Sequence, residues 1–368
     1  MATVIDNDTQ SIVVGNGNDR IAIHLKQSAT DTVQNQSQSL LVTSILIEIG
    51  DIEIQIRRST KSKNEYRKEN ILSTSTQSPA ITFHNGDQQK EPITEEKPNA
   101  NPEYWDYSVI HGPRMWGKIF PHIQCKKFQS PIRIYTDQCE FDSQLVQRPF
   151  TFKFDENCCQ TIENTGRSFQ VTGKGSSRIT GGPVVDEYQF LQFHMHWGAN
   201  DLEGAEHVID GVRLPGELHI VTWNTSKYKT PKAAAASDQF DGLMVFGILV
   251  KVVPSDNQEF AKFIDLLSNV TYKSEKININ QATIALKNIL PNDTQAYYTY
   301  KGSLTTPMCY ESVCWIVFRE IVGLSKCQFD QLRQLKYVCK GDHSTNGNIS
   351  QNFRPVMPLN GRTVYRSF

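Results

Sequence analysis

The chain of 368 residues contains no run of 18 or more apolar residues, so nothing in it reads as a membrane-spanning helix. Neither sign of charge is in surplus. Lysine and arginine number 38 against 39 acidic residues, which points neither to nucleic acid nor to an anionic membrane as partner. Short basic clusters such as Arg57-Arg58 and Lys61-Ser62-Lys63 read as solvated surface. Residues 1–30 lack the apolar core of a secretory signal, and the apolar run at 40–46 is too short and too far into the chain to serve as one. Residues 1–102 hold no cysteine and no tryptophan, are rich in Asn, Gln, Ser and Thr, and from 59 to 102 are mostly polar or charged. Such a composition reads as a disordered or weakly structured extension. Within it, Ile47-Glu48-Ile49 and Ile52-Glu53-Ile54-Gln55-Ile56 alternate as strands do. No internal repeat is present. Residues 103–368 read as one large, mainly β domain, with helices expected at 258–267 and 327–335 from apolar residues at helical spacing.

What the second part does contain is Gln192-Phe193-His194-Met195-His196-Trp197-Gly198, followed by Glu217-Leu218-His219-Ile220-Val221. Side chains on a strand alternate faces. His194 and His196 therefore share a face with Gln192, while Leu191, Phe193, Met195 and Trp197 take the other. Glu217, His219 and Val221 share one face of the second segment. If the two segments pair, three imidazoles converge, and three histidines with an open fourth position describe a catalytic zinc site. A lone His-x-His is a weak signal, but Gln192 and Glu217 each precede a histidine by two residues and could accept the second ring N–H. A structural zinc would want a fourth ligand, usually cysteine, and none lies near these segments. A non-haem iron oxygenase would want a carboxylate ligand a few residues after the histidine pair. Here the acid, Glu206, comes ten residues later, and three neutral ligands favour zinc.

Residues 190–224, including Ala205-Glu206-His207, closely resemble the zinc-binding core of the α-class carbonic anhydrases. So do Tyr104-Trp105-Asp106-Tyr107, Gly112-Pro113, Trp116 and Gln129-Ser130-Pro131-Ile132. Further on, the match takes in Tyr300-Lys301-Gly302-Ser303-Leu304-Thr305-Thr306-Pro307, Trp315-Ile316-Val317-Phe318, Asn352-Phe353-Arg354-Pro355 and the terminal Phe368. The resemblance implies an α+β, mainly β fold: a twisted, mostly antiparallel sheet of about ten strands with short peripheral helices and the metal on its central strands. It implies a Zn2+ cofactor held by His194, His196 and His219, and reversible hydration of CO2 to bicarbonate by a zinc-bound hydroxide. Thr305 and Glu206 would aim that hydroxide, and Val221, Val245, Leu304, Val313 and Trp315 would line the CO2 pocket, with Thr306 on its polar side. Sulfonamide-type inhibitors are expected. The alternative is a catalytically silent relative used for binding, a class that usually lacks one or more of the histidines.

One position departs from the family's faster members. Arg167, in Asn164-Thr165-Gly166-Arg167, stands where they carry a histidine proton shuttle. Arginine keeps its proton and cannot relay one, so turnover limited by proton export is expected. The resemblance also implies a Cys125–Cys309 disulfide, near positions that extracellular members bridge, although the loop at Cys125 is about one residue longer. Six Asn-x-Ser/Thr triplets accord with that compartment, while the missing signal segment does not. The other six cysteines have no argued pairing.

Overall fold

The computed structural model describes residues 104–279, 284–342 and 347–368, and the backbone of five strands nearer the N-terminus. The chain divides into two compact units, Met1–Pro92 and Ile93–Phe368. In the first, Ile5–Asp6, Thr9–Val14, Ile21–Lys26, Ser44–Ile49 and Ile52–Arg57 form an antiparallel sheet in chain order. The last two are the alternating segments read from the sequence; three more strands precede them. The reading of 59–102 as disordered falls outside the described residues.

The second unit is built on a 13-stranded sheet. Seven of its strands position the site: β1 (Cys159–Asn164), β2 (Phe169–Gly173), β3 (Tyr188–Trp197), β4 (Gly216–Asn224), β5 (Leu243–Val253), β6 (Tyr297–Gly302) and β7 (Val313–Phe318). The main path runs Lys276–Asn278, β1, β2, β3, β4, β5, β7, β6, Tyr365–Arg366 and Glu140–Phe141, ten strands in all. Most neighbours are antiparallel. The parallel pairs are β5 with β7, β5 with Val322–Ser325, and Tyr365–Arg366 with Glu140–Phe141.

The longest strands, β3, β4 and β5, lie at the centre and are buried along most of their length. Phe193, Met195, Trp197, Leu218 and Ile220 face a core completed by Phe260, Phe263 and Ile264 of a short helix, Gln258–Ile264. That helix starts where Asn257 caps the Glu259 and Phe260 amides, and at Asp265 it tightens into a 3-10 turn, Asp265–Val270. The second expected helix spans Lys326–Leu332 and opens with a capping box formed by Ser325 and Gln328. On the other face of the sheet, Val221, Val245, Val313 and Trp315 form a separate apolar cluster.

Simple alternation fails at one residue. The β3–β4 register slips between Phe190 and Gln192, so two consecutive residues, Leu191 and Gln192, stand opposite one partner. Phe190 and Phe193 both remain in the first core, and Leu191 packs against the Val221 cluster. Leu191 therefore lies on the histidine side of the sheet, not with Phe193 as strict alternation requires.

Candidate metal centre and active site

Strand register brings the histidines together. His194 stands directly opposite His219, and His196 opposite Glu217. Ring centroids are 5.0 Å apart for His194 and His196, 5.3 Å for His194 and His219, and 4.6 Å for His196 and His219. One nitrogen of each ring lies within 4.8 Å of the corresponding atoms of the other two.

Hydrogen bonds decide which nitrogen that is. His194 Nδ1 is 2.9 Å from Gln192 Oε1, His196 Nδ1 is 2.7 Å from the Asn352 carbonyl, and His219 Nε2 is 2.8 Å from Glu217 Oε1. Each partner is an acceptor, so each of these nitrogens carries the proton. The lone pairs left over are on His194 Nε2, His196 Nε2 and His219 Nδ1. Burial lowers the pKa of all three rings, that of His196 to about 4 despite the opposing Asn352 carbonyl. All three are neutral imidazoles at physiological pH. His196 Nε2 is buried without any hydrogen-bond partner, an arrangement that is costly for a polar atom unless something else engages it.

Two buried carboxylates frame the triad. Glu217 receives the His207 amide at 2.7 Å, the His207 ring at 2.6 Å and the His219 ring. Burial alone would raise its pKa, but the two histidines outweigh that effect and hold it well below the usual carboxylate range. His207 in turn bonds the Tyr300 hydroxyl at 2.7 Å, and Tyr300 donates to Ser130 Oγ at 2.8 Å. Glu206 accepts the Arg354 amide at 2.9 Å through Oε1, while its Oε2 lies 3.5 Å from His196 Nε2 and 3.9 Å from His219 Nδ1. Burial raises Glu206 to about 7, with His219 and the Thr305 hydroxyl acting to lower it. A cation among the three imidazoles would lower it further.

The Thr305 loop is pinned from several sides. Ser130 and Ser303 exchange hydrogen bonds of 2.9 and 3.0 Å, and Trp315 Nε1 donates to the Ser303 carbonyl at 3.0 Å. Gly302 is required here, because a Cβ would sit 2.2 Å from Ser130 Oγ. Thr305 is buried, and Leu304 packs against the cluster of Val221, Val245, Val313 and Trp315. Trp315 lies 4.8 Å from the His219 ring, centroid to centroid, so the apolar wall adjoins the triad. Thr306 is partly exposed, and its carbonyl accepts the Cys309 amide at 2.8 Å.

The eukaryotic-type carbonic anhydrase model matches residues 111–368. The chain belongs to that family. Carbonic anhydrase 1 of Mus musculus is 38% identical to it over 267 residues, a stretch covering 72% of this chain and 98% of the mouse protein. Carbonic anhydrases are in general zinc-dependent, and His194, His196 and His219 could hold such an ion. The donor set fits: three neutral nitrogens, one of them otherwise orphaned, with every far nitrogen occupied.

Two further expectations concern Arg167 and the Cys125–Cys309 pair. Arg167 lays its guanidinium over the Trp105 ring, 3.9 Å from the centroid, and donates from Nε to the Trp105 carbonyl at 2.8 Å. The expected Cys125–Cys309 bridge is not formed; both are free thiols. Cys125 ends the 3-10 turn Pro121–Cys125 and points its thiol back at the His122 carbonyl, 2.9 Å away, whereas Cys309 is buried beside Trp116, Phe120 and Ile123. Noncovalent contacts clamp the loop instead. Gln129 donates to the Cys309 carbonyl at 3.0 Å, and the Phe128 amide to Glu311 at 2.6 Å.

The partners supplied by Asn352 and Arg354 are not legible in the sequence, although both residues lie in the segment Asn352-Phe353-Arg354-Pro355. They act through a backbone carbonyl and a backbone amide, groups every residue of their kind possesses, from 156 and 148 residues away. No side-chain pattern signals that.

Proposed function

We propose that the chain is an active zinc carbonic anhydrase that hydrates CO2 reversibly to bicarbonate and a proton. The observation that carries this reading is the triad of neutral imidazoles, each locked by an acceptor on its far nitrogen. A zinc ion bound there would act as a Lewis acid and lower the pKa of a coordinated water to about 7, an effect for which carbonic anhydrase is itself the standard example.

The remaining work falls to the protein. Neutral ligands leave the cation its charge, and Gln192, Glu217 and the Asn352 carbonyl hold the rings in the ligating tautomer. Glu206, as a carboxylate, takes the Thr305 hydroxyl proton in a hydrogen bond. The Thr305 oxygen is then left to accept one from the attacking oxygen nucleophile, which turns a lone pair of that nucleophile toward CO2. Val221, Val245, Leu304, Val313 and Trp315 offer CO2 a hydrocarbon wall and keep water from solvating it, while Thr306 faces the polar product. Arg167 cannot pass on the released proton, so the proton leaves through solvent and buffer.

Stopped-flow CO2 hydration with and without an aromatic sulfonamide, alongside zinc analysis of the same sample, tests the reading. Sulfonamide-sensitive hydration by zinc-loaded protein is expected. A zinc-loaded protein without hydration would instead be the silent binding relative.

A further inference from the structure

Behind the catalytic wall lies a groove of about 700 Å3, within the usual range for small-molecule sites. Thr299, Lys301 and Cys314 line it. Cys314 sits between Val313 and Trp315 on β7 and belongs to the core on the opposite side of the sheet from the triad. Phe240 and Tyr365 add aromatic surface, and the charged groups are Arg148, Lys301, Arg362, Asp142 and Asp241.

Both acids are engaged, whereas among the described residues none of the three cations is paired with a carboxylate within 4.0 Å. Asp241 is paired with Lys227 at 2.5 Å and accepts from the Tyr228 hydroxyl at 3.1 Å. Asp142 caps the short helix Ser143–Gln147 through the Gln144 amide. Arg362 donates to neutral carbonyls, those of Leu359, Lys301, Gln129 and Pro358, and lies over the Phe128 and Tyr300 rings. Among the described residues Lys301 forms no ion pair of 4.0 Å or less, and its ammonium lies 6.0 Å from the Phe240 ring centroid. Arg148 Nε is buried without an acceptor. A buried guanidinium N–H left unpaired is unfavourable, and an anionic oxygen would satisfy it with a charge-assisted hydrogen bond.

We propose that this groove binds an amphipathic organic carboxylate, its oxygens meeting Arg148 and Lys301 and its hydrocarbon body lying against Phe240 and Tyr365. The aromatic surface selects against a bare inorganic anion, which has no apolar part to bury there.

Titration calorimetry of the full-length zinc-loaded protein with 4-phenylbutyrate, a sulfonamide blocking the catalytic metal, tests this. Saturable binding is expected, at least tenfold weaker in Arg148→Gln and in Lys301→Gln, with CO2 hydration unchanged in both variants. The neutral amide, 4-phenylbutyramide, should bind wild type at least tenfold more weakly than the acid. Equal affinity of wild type and both variants for the acid, equal affinity of wild type for acid and amide, or no binding of the acid at millimolar concentration would overturn the proposal.

Discussion

Each histidine of the triad is oriented by one atom beyond it. Glu217 is the most committed of these partners, with one carboxylate holding His219, the His207 ring and the His207 amide. Glu217→Gln keeps the shape and removes the charge. We expect zinc affinity to fall by roughly 10–100-fold, measured by competition with a chelator. Unchanged affinity would mean that the carboxylate does not tune His219. At the position read as that of the proton shuttle, Arg167→His should raise turnover in dilute buffer, because imidazole titrates near neutrality. Wild type should gain more than the variant from added imidazole, and an equal gain would show that residue 167 does not limit proton export. At this scale legibility depends on where the chemistry sits. Gln192 and Glu217 could be read because side chains two apart share a strand face, whereas Asn352 and Arg354 could not, because they contribute backbone atoms.

Among the elements, the pairing of β3 with β4 matters most. It sets His194 against His219 and, across the same sheet, buries Phe193 and Met195 opposite the site. A slip of one residue along the whole strand would exchange the two faces. The single local slip at Leu191 instead adds a hydrocarbon side chain to the histidine side. Strand identity and the shared face of the histidines were legible from period-two spacing. The bulge was not, since nothing in the residues around Leu191 announces an unpaired position. The Cys125 thiol misled for a related reason: a family resemblance matches positions along the chain, not the direction of a side chain at the end of a turn. The apolar cluster that includes Val221 of β4 makes its own prediction. Val221 is 5% exposed and packed with Val245 and Trp315. Val221→Phe should reduce CO2 hydration by about 10²-fold through blocked substrate placement, with zinc content retained and stability lowered by about 1–3 kcal/mol. Full activity in that variant would remove Val221 from the substrate wall.

At the scale of the whole molecule, the family match begins at residue 111 and the compact second unit at Ile93. We expect a chain cut to residues 103–368 to fold and to hydrate CO2 within about twofold of the full-length rate, since every residue assigned to the site lies beyond 103. Loss of activity on truncation would give the first hundred residues a part in catalysis. The change in composition near residue 102 was plain in the sequence; the five-stranded pairing before it was only partly so, because Ile5–Asp6 is too short to show a period and Thr9–Val14 opens polar and closes apolar.

On the reading proposed, His194, His196 and His219 act as one zinc site that performs the chemistry. Metal analysis and stopped-flow CO2 hydration on wild type and His219→Ala, run on the same preparations, test this most directly. One zinc per chain and rapid hydration in wild type, both lost together in a folded variant, is the predicted result. A variant that keeps its hydration rate, or a fully zinc-loaded wild type that shows none, would contradict it.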